Sequence, residues 1–422
     1  MDMSLMSTRS AGNRSRFGAD GENNATMNFT TANFDLFMDE NAAVKVSETL
    51  FEDFSSALME TQGSSKVFTL VANFEQLCED MSTILSKVVE RASGSDMQVE
   101  QAMSVMQQVK SERFAWRLLR QLYEDRIDRQ PQDLLEGVDI QADSAPDDRS
   151  VYGLLLRTDR QFRELTLILK WCEEVAAEQL NDANTLAAFA SKLVLWQNTL
   201  HNRKRGGAGC DMDPDGPLRE GQSLDSYDEN DDVKLISVIF SYVRCGQIQK
   251  AIDLCVHCGQ SWRAALLQGK LLASDPNLTN NDGSALSKTG GNRRRPLWKS
   301  ACWKASENPG LSLVERSLLA ALGGRLGPLL TVCRQWDDRL WAYVTASVEY
   351  QLSSALHRLG RCPSPSDTTG IDLADFTLDS IHQELSASED SDSDAYQQIC
   401  KFIMLDDPDN AVAFMYEWLA DR

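Results

Sequence analysis

Few residues in this chain have types and spacings that could do chemistry. The sharpest grouping is Cys255-Val256-His257-Cys258, with Cys245 upstream. A CxxC pair is half of a zinc site or a dithiol redox couple, because a thiolate is both a soft ligand and a nucleophile. Structural zinc takes four ligands, and no second CxxC or HxxxH stands at finger spacing. A thioredoxin-type pair belongs in a βαβ setting, which the flanking sequence lacks. Packing is the reading that remains. Free Cys behaves as a small hydrophobe, with Cys255 on the buried face of a helix and Cys258 at its end.

The other groupings are weaker still. His201, His257, His357 and His382 stand alone, with no GxSxG or similar nucleophile motif. A triad needs its nucleophile and base placed together. Gly323-Gly324-Arg325-Leu326-Gly327 lacks the Lys-Ser/Thr of a phosphate loop and follows no strand, so it reads as a helix stop. Arg203-Lys204-Arg205 and Arg293-Arg294-Arg295-Pro296 suit a nuclear import signal or a phosphate contact. Both lie beside acidic sequence, so solvated loop charge is the simpler reading. Ser386, Ser388, Ser391 and Ser393 alternate with acids up to Asp394 and look like substrates of acid-directed kinases. Phosphorylation there would add negative charge to a flexible tether, and an inert polar spacer is the alternative. The expectation is a chain with no catalytic, cofactor-binding or metal-binding residues, and not an enzyme.

The elements that carry these residues are helical. The chain has 422 residues, 42 basic and 63 acidic, for a formal net charge of −21. That balance argues against a surface for duplex DNA or anionic membrane, since phosphate binding needs a basic face. No stretch approaches the ~20 apolar residues of a membrane span, and 233–243 is the most apolar run. The first forty residues contain no apolar run of signal-peptide length. Asn24-Ala25-Thr26 and Asn28-Phe29-Thr30 therefore match the glycosylation pattern by chance. Ten Cys, nine of them single within or at the ends of apolar-periodic segments, read as buried thiols in a reducing compartment.

Residues 1–40 read as a disordered tail. A 3.6-residue apolar period then covers 43–60, 66–92, 97–126, 149–181 and 184–202. It resumes over 231–245, 247–258, 261–273, 297–305, 311–322, 325–335 and 337–358, and again over 395–405 and 409–421. Polar loops are expected at about 203–232, 274–296 and 360–394. Alternating β-branched runs are missing, so the fold class is all-α. Val243-Arg244-Cys245-Gly246-Gln247 recurs as Val256-His257-Cys258-Gly259-Gln260, and Gly324 and Asp407-Pro408 end helices in the same manner. Such stops join antiparallel pairs that stack into a solenoid, here too irregular for a tetratricopeptide array. The domain expectation is a tail at 1–40 and one helical solenoid at 41–422.

Trp298, Trp303, Trp336, Leu340, Trp341 and Tyr343 gather in one segment. Aromatics at helical spacing usually form core, but Trp is also the residue most enriched in interface hot spots. This segment is the candidate partner interface, or its direct support.

A family resemblance rests on seven stretches taken in order. They are 195–201 (Leu195-Trp196 to His201), 212–219 (Met212-Asp213-Pro214 to Arg219), Asp232-Val233-Lys234-Leu235, and 258–265 (Cys258 through Trp262-Arg263 to Ala265). Then come 297–304 (Leu297-Trp298 through Cys302-Trp303 to Lys304), Glu315-Arg316, and 332–343 (Val332-Cys333 through Trp336 and Trp341 to Tyr343), with an echo at 396–419. Together they resemble the large helical nucleoporins of roughly 107 kilodaltons from the Y-shaped outer-ring complex of the nuclear pore, in their N-terminal half. The resemblance implies an ancestral-coatomer-type helical fold with a trunk and a crown. It implies a non-enzymatic scaffold supporting pore assembly, mRNA export and protein transport. It places such a chain at the nuclear envelope, and at kinetochores in mitosis. The implied partners are other helical nucleoporins, one of roughly 96 kilodaltons through the crown and one of roughly 133 kilodaltons through a C-terminal tail. Family members look about twice this length, so the tail and its partner are expected to be absent. The last helix pair, with Phe402, Leu405, Phe414, Tyr416 and Trp418, would then expose an apolar stripe and leave the chain sticky alone. The runner-up is a vesicle-coat or tetratricopeptide-like adaptor, and a third reading is an enzyme with a site around Cys255 and Cys258.

Overall fold

A computed structural model describes residues 42–61, 67–91, 96–128, 147–180, 189, 191–205, 223–275, 277, 288–362, 377–387 and 394–420. The tail expected at 1–40 lies outside the described residues. Among those described, the chain forms sixteen helices and no strand. Two isolated bridges, Leu272 with Asn292 and Ser274 with Gly290, pinch the base of the expected loop at 274–296.

The N-terminal unit is three helices, α1 (Ala42–Thr61), α2 (Val67–Arg91) and α3 (Asp96–Asp128). The periodic stripe of α2 buries Val71, Cys78, Met81 and Leu85, and it meets Leu50 and Val109 in a small separate core. Phe54, Phe74 and Trp116 close that core with ring centroids 4.7 and 5.0 Å apart. Next come α4 (Asp148–Thr158) and α5 (Arg160–Gln179), where the sequence suggests one continuous helix. Asp159 breaks it: its backbone is extended and its carboxylate accepts from Phe162 N at 3.0 Å, an N-cap that starts α5 afresh.

The middle of the chain holds α6 (Gln197–Arg205), α7 (Ser226–Arg244), α8 (Ile248–His257) and α9 (Ser261–Gln268), followed by α10 (Arg295–Ser306), α11 (Leu313–Gly323), α12 (Leu326–Leu330) and α13 (Trp336–Arg358). The repeated glycine stops act as read. Gly246 and Gly259 have φ of +69° and +73°, which an L side chain resists. Gln247 N and Gln260 N then bond back to Tyr242 O and Cys255 O at 2.8 Å, the six-to-one closure of a Schellman motif. Asp406 makes the same turn without glycine, at φ +57°.

Three boundaries differ from the sequence reading. Residues 191–196 are turn and bend, and α6 begins only at Gln197. The loop at 203–232 is shorter at both ends, because α6 runs through Arg205 and α7 starts at Ser226. The acids of 225–232 look like loop by composition but are a capped first turn and the inner face of α7. The polar stretch at 360–394 contains a further helix, α14 (Leu378–Ala387). Its buried side is only Ile381, His382 and Leu385, too short a stripe to stand out among acids and serines. α15 (Ala395–Met404) and α16 (Pro408–Ala420) end the chain.

The packing is not a simple succession of pairs. α2–α3, α8–α9 and α10–α11 are sequential hairpins, but α13 lies along α5 and α4, and α11 lies on α7. α15 returns to α3, where Arg126 donates to Ile403 O and Met404 O at 2.9 Å and so caps the end of α15. The last pair therefore does have a neighbour on one side. Cys400, Ile403 and Met404 are buried on α3, while Val412, Tyr416 and Leu419 of α16 remain exposed.

His382 is a cost inside this packing. It is buried, and neither ring nitrogen has a hydrogen-bond partner among the described residues. Burial, with the charge of Lys401 added, pushes its pKa down to about 4. The unfolded chain binds a proton there near pH 6.5, so stability falls as pH drops from 6.5 towards 4, by up to about 3 kcal/mol. In His382→Leu, urea unfolding followed across that range shows a correspondingly flatter acid limb. An unchanged limb would show that His382 is not the group responsible.

Candidate functional site

The six residues of the candidate interface divide sharply. Leu340, Trp341, Tyr343 and Trp303 are buried, whereas Trp298 and Trp336 are half-exposed. Two of the indoles are pinned through their N–H groups. Trp298 donates to Leu266 O at 3.0 Å, joining α10 to α9, and Trp303 donates to Gly323 O at 2.7 Å, joining α10 to the end of α11. Trp341 lies with its face 5.0 Å from the Arg244 guanidinium and makes a T-shaped pair with Phe240. The buried four shape the surface from beneath. Leu297 is 69 % exposed, and the half-exposed Trp298 stands beside it. They border an open groove of about 440 Å³ between α9 and α10, floored by Ala265, Gly269 and Ala301 and edged by Gln268 and Arg294.

Charged side chains of α6, α7 and α9 and their neighbours hold this region together. Arg244 at the end of α7 donates to Asp338 at 2.9 Å, Cys172 O at 2.8 Å and Asp337 O at 3.1 Å. One guanidinium thus binds α7 to α5 and to the first turn of α13. Asp232 of α7 takes Arg263 of α9 in a two-pronged pair and accepts from the Trp196 indole at 3.1 Å. Arg263 in turn stacks 4.5 Å from the Trp262 ring. Asp228 accepts from Thr199 N and its hydroxyl at 2.6 and 2.7 Å, serving as an N-terminal anion for α6 from across the fold. Sequence reasoning missed these residues as functional. A signal was present, since Asp225, Asp228 and Asp232 recur at helical spacing.

The deepest cluster lies between α10 and α13. Glu349 accepts both bonds of Arg295, at 2.8 and 2.7 Å, and faces Lys299 Nζ at 3.4 Å. Lys299 also donates to Ser353 Oγ at 2.8 Å and Glu349 O at 3.2 Å. Burial alone would raise the Glu349 carboxyl, but Arg295 and Lys299, with Lys270 beyond, hold it far below the usual carboxylate range. Burial pushes Lys299 down to about 8 against the pull of Glu349. Arg295 is thus spent inside, and Arg293 is paired with Asp275 at 2.5 Å. The basic cluster at 293–295 divides: Arg295 is a buried fold contact at the start of α10, while Arg293 and Arg294 are exposed ahead of it, as the solvated-loop reading expects. Arg203-Lys204-Arg205 closes α6 rather than lying in a loop.

The cysteine motif is equally internal. Cys255 and Cys258 are fully buried, and burial pushes their thiols up to about 12 and about 11, far from the thiolate that attack or ligation requires. His257 points its Nε2 at Phe189 O, 3.1 Å away. No group of three His, Cys, Asp or Glu is placed to hold a metal ion among the described residues. Of the four serines, Ser386 is exposed on the last turn of α14, and Ser388, Ser391 and Ser393 lie outside the described residues.

A family model described as nuclear pore protein 84 / 107 matches residues 106–422. The chain is similar to nuclear pore complex protein Nup107 of Homo sapiens, 32 % identical over 407 residues, covering 91 % of this chain and 43 % of that protein. It is similar to Nup107 of Drosophila melanogaster at 27 % over 398 residues, covering 88 % and 46 %. It is also similar to nucleoporin nup107 of Schizosaccharomyces pombe at 29 % over 199 residues, covering 45 % and 24 %. The chain thus spans less than half the length of the curated relatives it matches.

Two substitutions test the division between support and surface. Trp341→Ala empties a filled core position and lowers the unfolding free energy by about 3–5 kcal/mol. Glu349→Gln leaves Arg295 and Lys299 without their anion and costs about 3–5 kcal/mol. Both are read by urea denaturation, and a loss below about 1 kcal/mol in either would remove that residue from the supporting core.

Proposed function

This chain belongs to the nuclear pore protein 84 / 107 family, and we propose on that premise that it is a non-enzymatic scaffold of the outer ring of the nuclear pore. The observation that carries the reading is the family match across three-quarters of the chain, together with similarity to Nup107 proteins over most of its length. The all-helical architecture supports it. A chain built from helix faces binds other chains by helix-to-helix packing, where a few central apolar residues carry most of the affinity. Among the described residues no helix is long and apolar enough to cross a membrane. Residence at the nuclear envelope then runs through partner proteins. Its roles in mRNA export and protein transport follow from holding the pore together.

The partner we assign is a second helical nucleoporin, the one of roughly 96 kilodaltons, docking on the face carried by α9 and α10. Leu297 and Trp298 there offer apolar contact beside a groove with a small-residue floor. The buried Trp303, Leu340, Trp341 and Tyr343 act by fixing the helices that present this face.

The test is affinity capture of the tagged 422-residue chain from nuclear extract. Recovery of that nucleoporin is expected, and Leu297→Asp reduces it about tenfold or more, equivalent to at least ~1.4 kcal/mol, with the melting temperature unchanged. Recovery of a vesicle-coat or peptide cargo set in place of nucleoporins would overturn the scaffold reading. Full recovery with Leu297→Asp would overturn the choice of face.

A further inference from the structure

α14 and α15 come together at a pair of side chains with no evident structural task. Ser386 stands exposed in the last turn of α14, and Lys401 Nζ of α15 donates to its hydroxyl at 3.2 Å. Lys401 has no carboxylate within ion-pair distance among the described residues, in a chain with 63 acids. Arg126, Arg163, Arg244, Arg263 and Arg295 each have one. The charge of Lys401 is felt instead by His382, one turn before Ser386 on the same face of α14. The sequence around the hydroxyl is Ser386-Ala387-Ser388-Glu389-Asp390, with an acid three residues on, the pattern that acid-directed kinases take. An acceptor hydroxyl of the right sequence therefore sits against an ammonium that has no counter-ion among the described residues.

We propose that Ser386 is a phosphorylation site whose phosphate is received by Lys401, tying α14 to α15. The reaction is ordinary phosphoryl transfer. Ser386 Oγ forms a bond to the γ-phosphorus of ATP, the bond from that phosphorus to the β–γ bridging oxygen breaks, ADP leaves, and the hydroxyl proton passes to the kinase's base. The product carries −1.5 to −2 charges and three strong acceptor oxygens about where the hydroxyl now meets Lys401. Two influences oppose it. The end of a helix disfavours an anion, and Glu384 stands two residues before Ser386 on α14. Lys401 favours it, from hydrogen-bond distance. Lys401 decides the balance because a direct charge-assisted bond outweighs diffuse repulsion at an exposed site. The consequence is mechanical. α14 packs on the central α13 and α15 packs on α3 of the N-terminal unit, so the tie links α13's neighbour to that unit.

The experiment treats the full chain with an acid-directed Ser/Thr kinase and ATP, and maps phosphates by tandem mass spectrometry against Ser386→Ala. The ³¹P signal absent from Ser386→Ala is then titrated. In the wild-type chain its second pKa falls below the ordinary ~6 of a phosphoserine, and it returns to that value in Lys401→Gln. Amide exchange in 378–387 and 395–404 slows several-fold on phosphorylation in wild type and not in Lys401→Gln. Lys401 is partly exposed, so Lys401→Gln folds, which its melting curve checks. Phosphate on neighbouring serines but none on Ser386 overturns the site. A phosphate at Ser386 with the same pKa in both chains, or unslowed exchange, overturns the tie.

Discussion

A buried carboxyl stays ionised in a folded chain only when enough donors and cations surround it, and Glu349 shows how this fold meets that constraint. It lies on the inner side of the long helix α13, with two Arg295 bonds and Lys299 around it. Each of the three charges would be expelled from the interior alone, since the desolvation of one ion exceeds any single contact it makes. Together they are tolerable only when α10 sits against α13 at one register. Apolar stripes let helices slide by a turn at modest cost, whereas a desolvated ion set does not. Where α13 lies decides where α4 and α5 lie, because all three pack together. Gly324, at φ +73°, lets the end of α11 come close beside Glu349.

The same logic recurs at smaller scale. Arg244 ties three helices by donating to two carbonyls and a carboxylate, and Asp232 gathers Arg263 and the Trp196 indole. Arg126 reaches the last carbonyls of α15 from a helix far away in sequence. These contacts join elements that are not neighbours in the chain. An array of sequential hairpins needs only apolar faces. A chain that folds back on itself needs addresses, and directional polar bonds to backbone groups supply them.

This difference explains what could be read from the sequence. The helix class, most helix positions and the glycine stops were legible, because they depend on local periodicity and on the φ of single residues such as Gly246 and Gly259. The fold-back of α13 onto α5 was not legible from pattern, since nothing local in Trp336–Arg358 names its partner. The acids of 225–232 were misplaced for a related reason. Asp225, Asp228, Asp231 and Asp232 raise the polarity that marks loops, and only their partners reveal that they face inward. α14 was lost because three inward residues do not make a period. For the candidate site, the segment was visible as a run of tryptophans, but the distinction between Trp341 inside and Leu297 outside needs the neighbouring helices.

The charge balance takes on a different meaning once the pairs are known. The count of −21 treats all charges alike. Yet Arg113, Arg163, Arg244, Arg263 and Arg295 are buried, each answering a carboxylate. With Lys299 these are six buried cations, and six acids are buried too: Asp147, Asp148, Glu164, Asp228, Asp232 and Glu349. The net charge of −21 is therefore carried by the residues outside that buried set. Copies of such a chain repel one another at long range, with screening beyond about 8 Å in physiological salt. The docking face proposed above, Leu297 and Trp298 beside Arg294, is apolar ground where such repulsion has least to act on. The six residues first singled out divide by burial. Trp303, Leu340, Trp341 and Tyr343 lie underneath and hold the helices in place, whereas Trp298 and Trp336 are half-exposed.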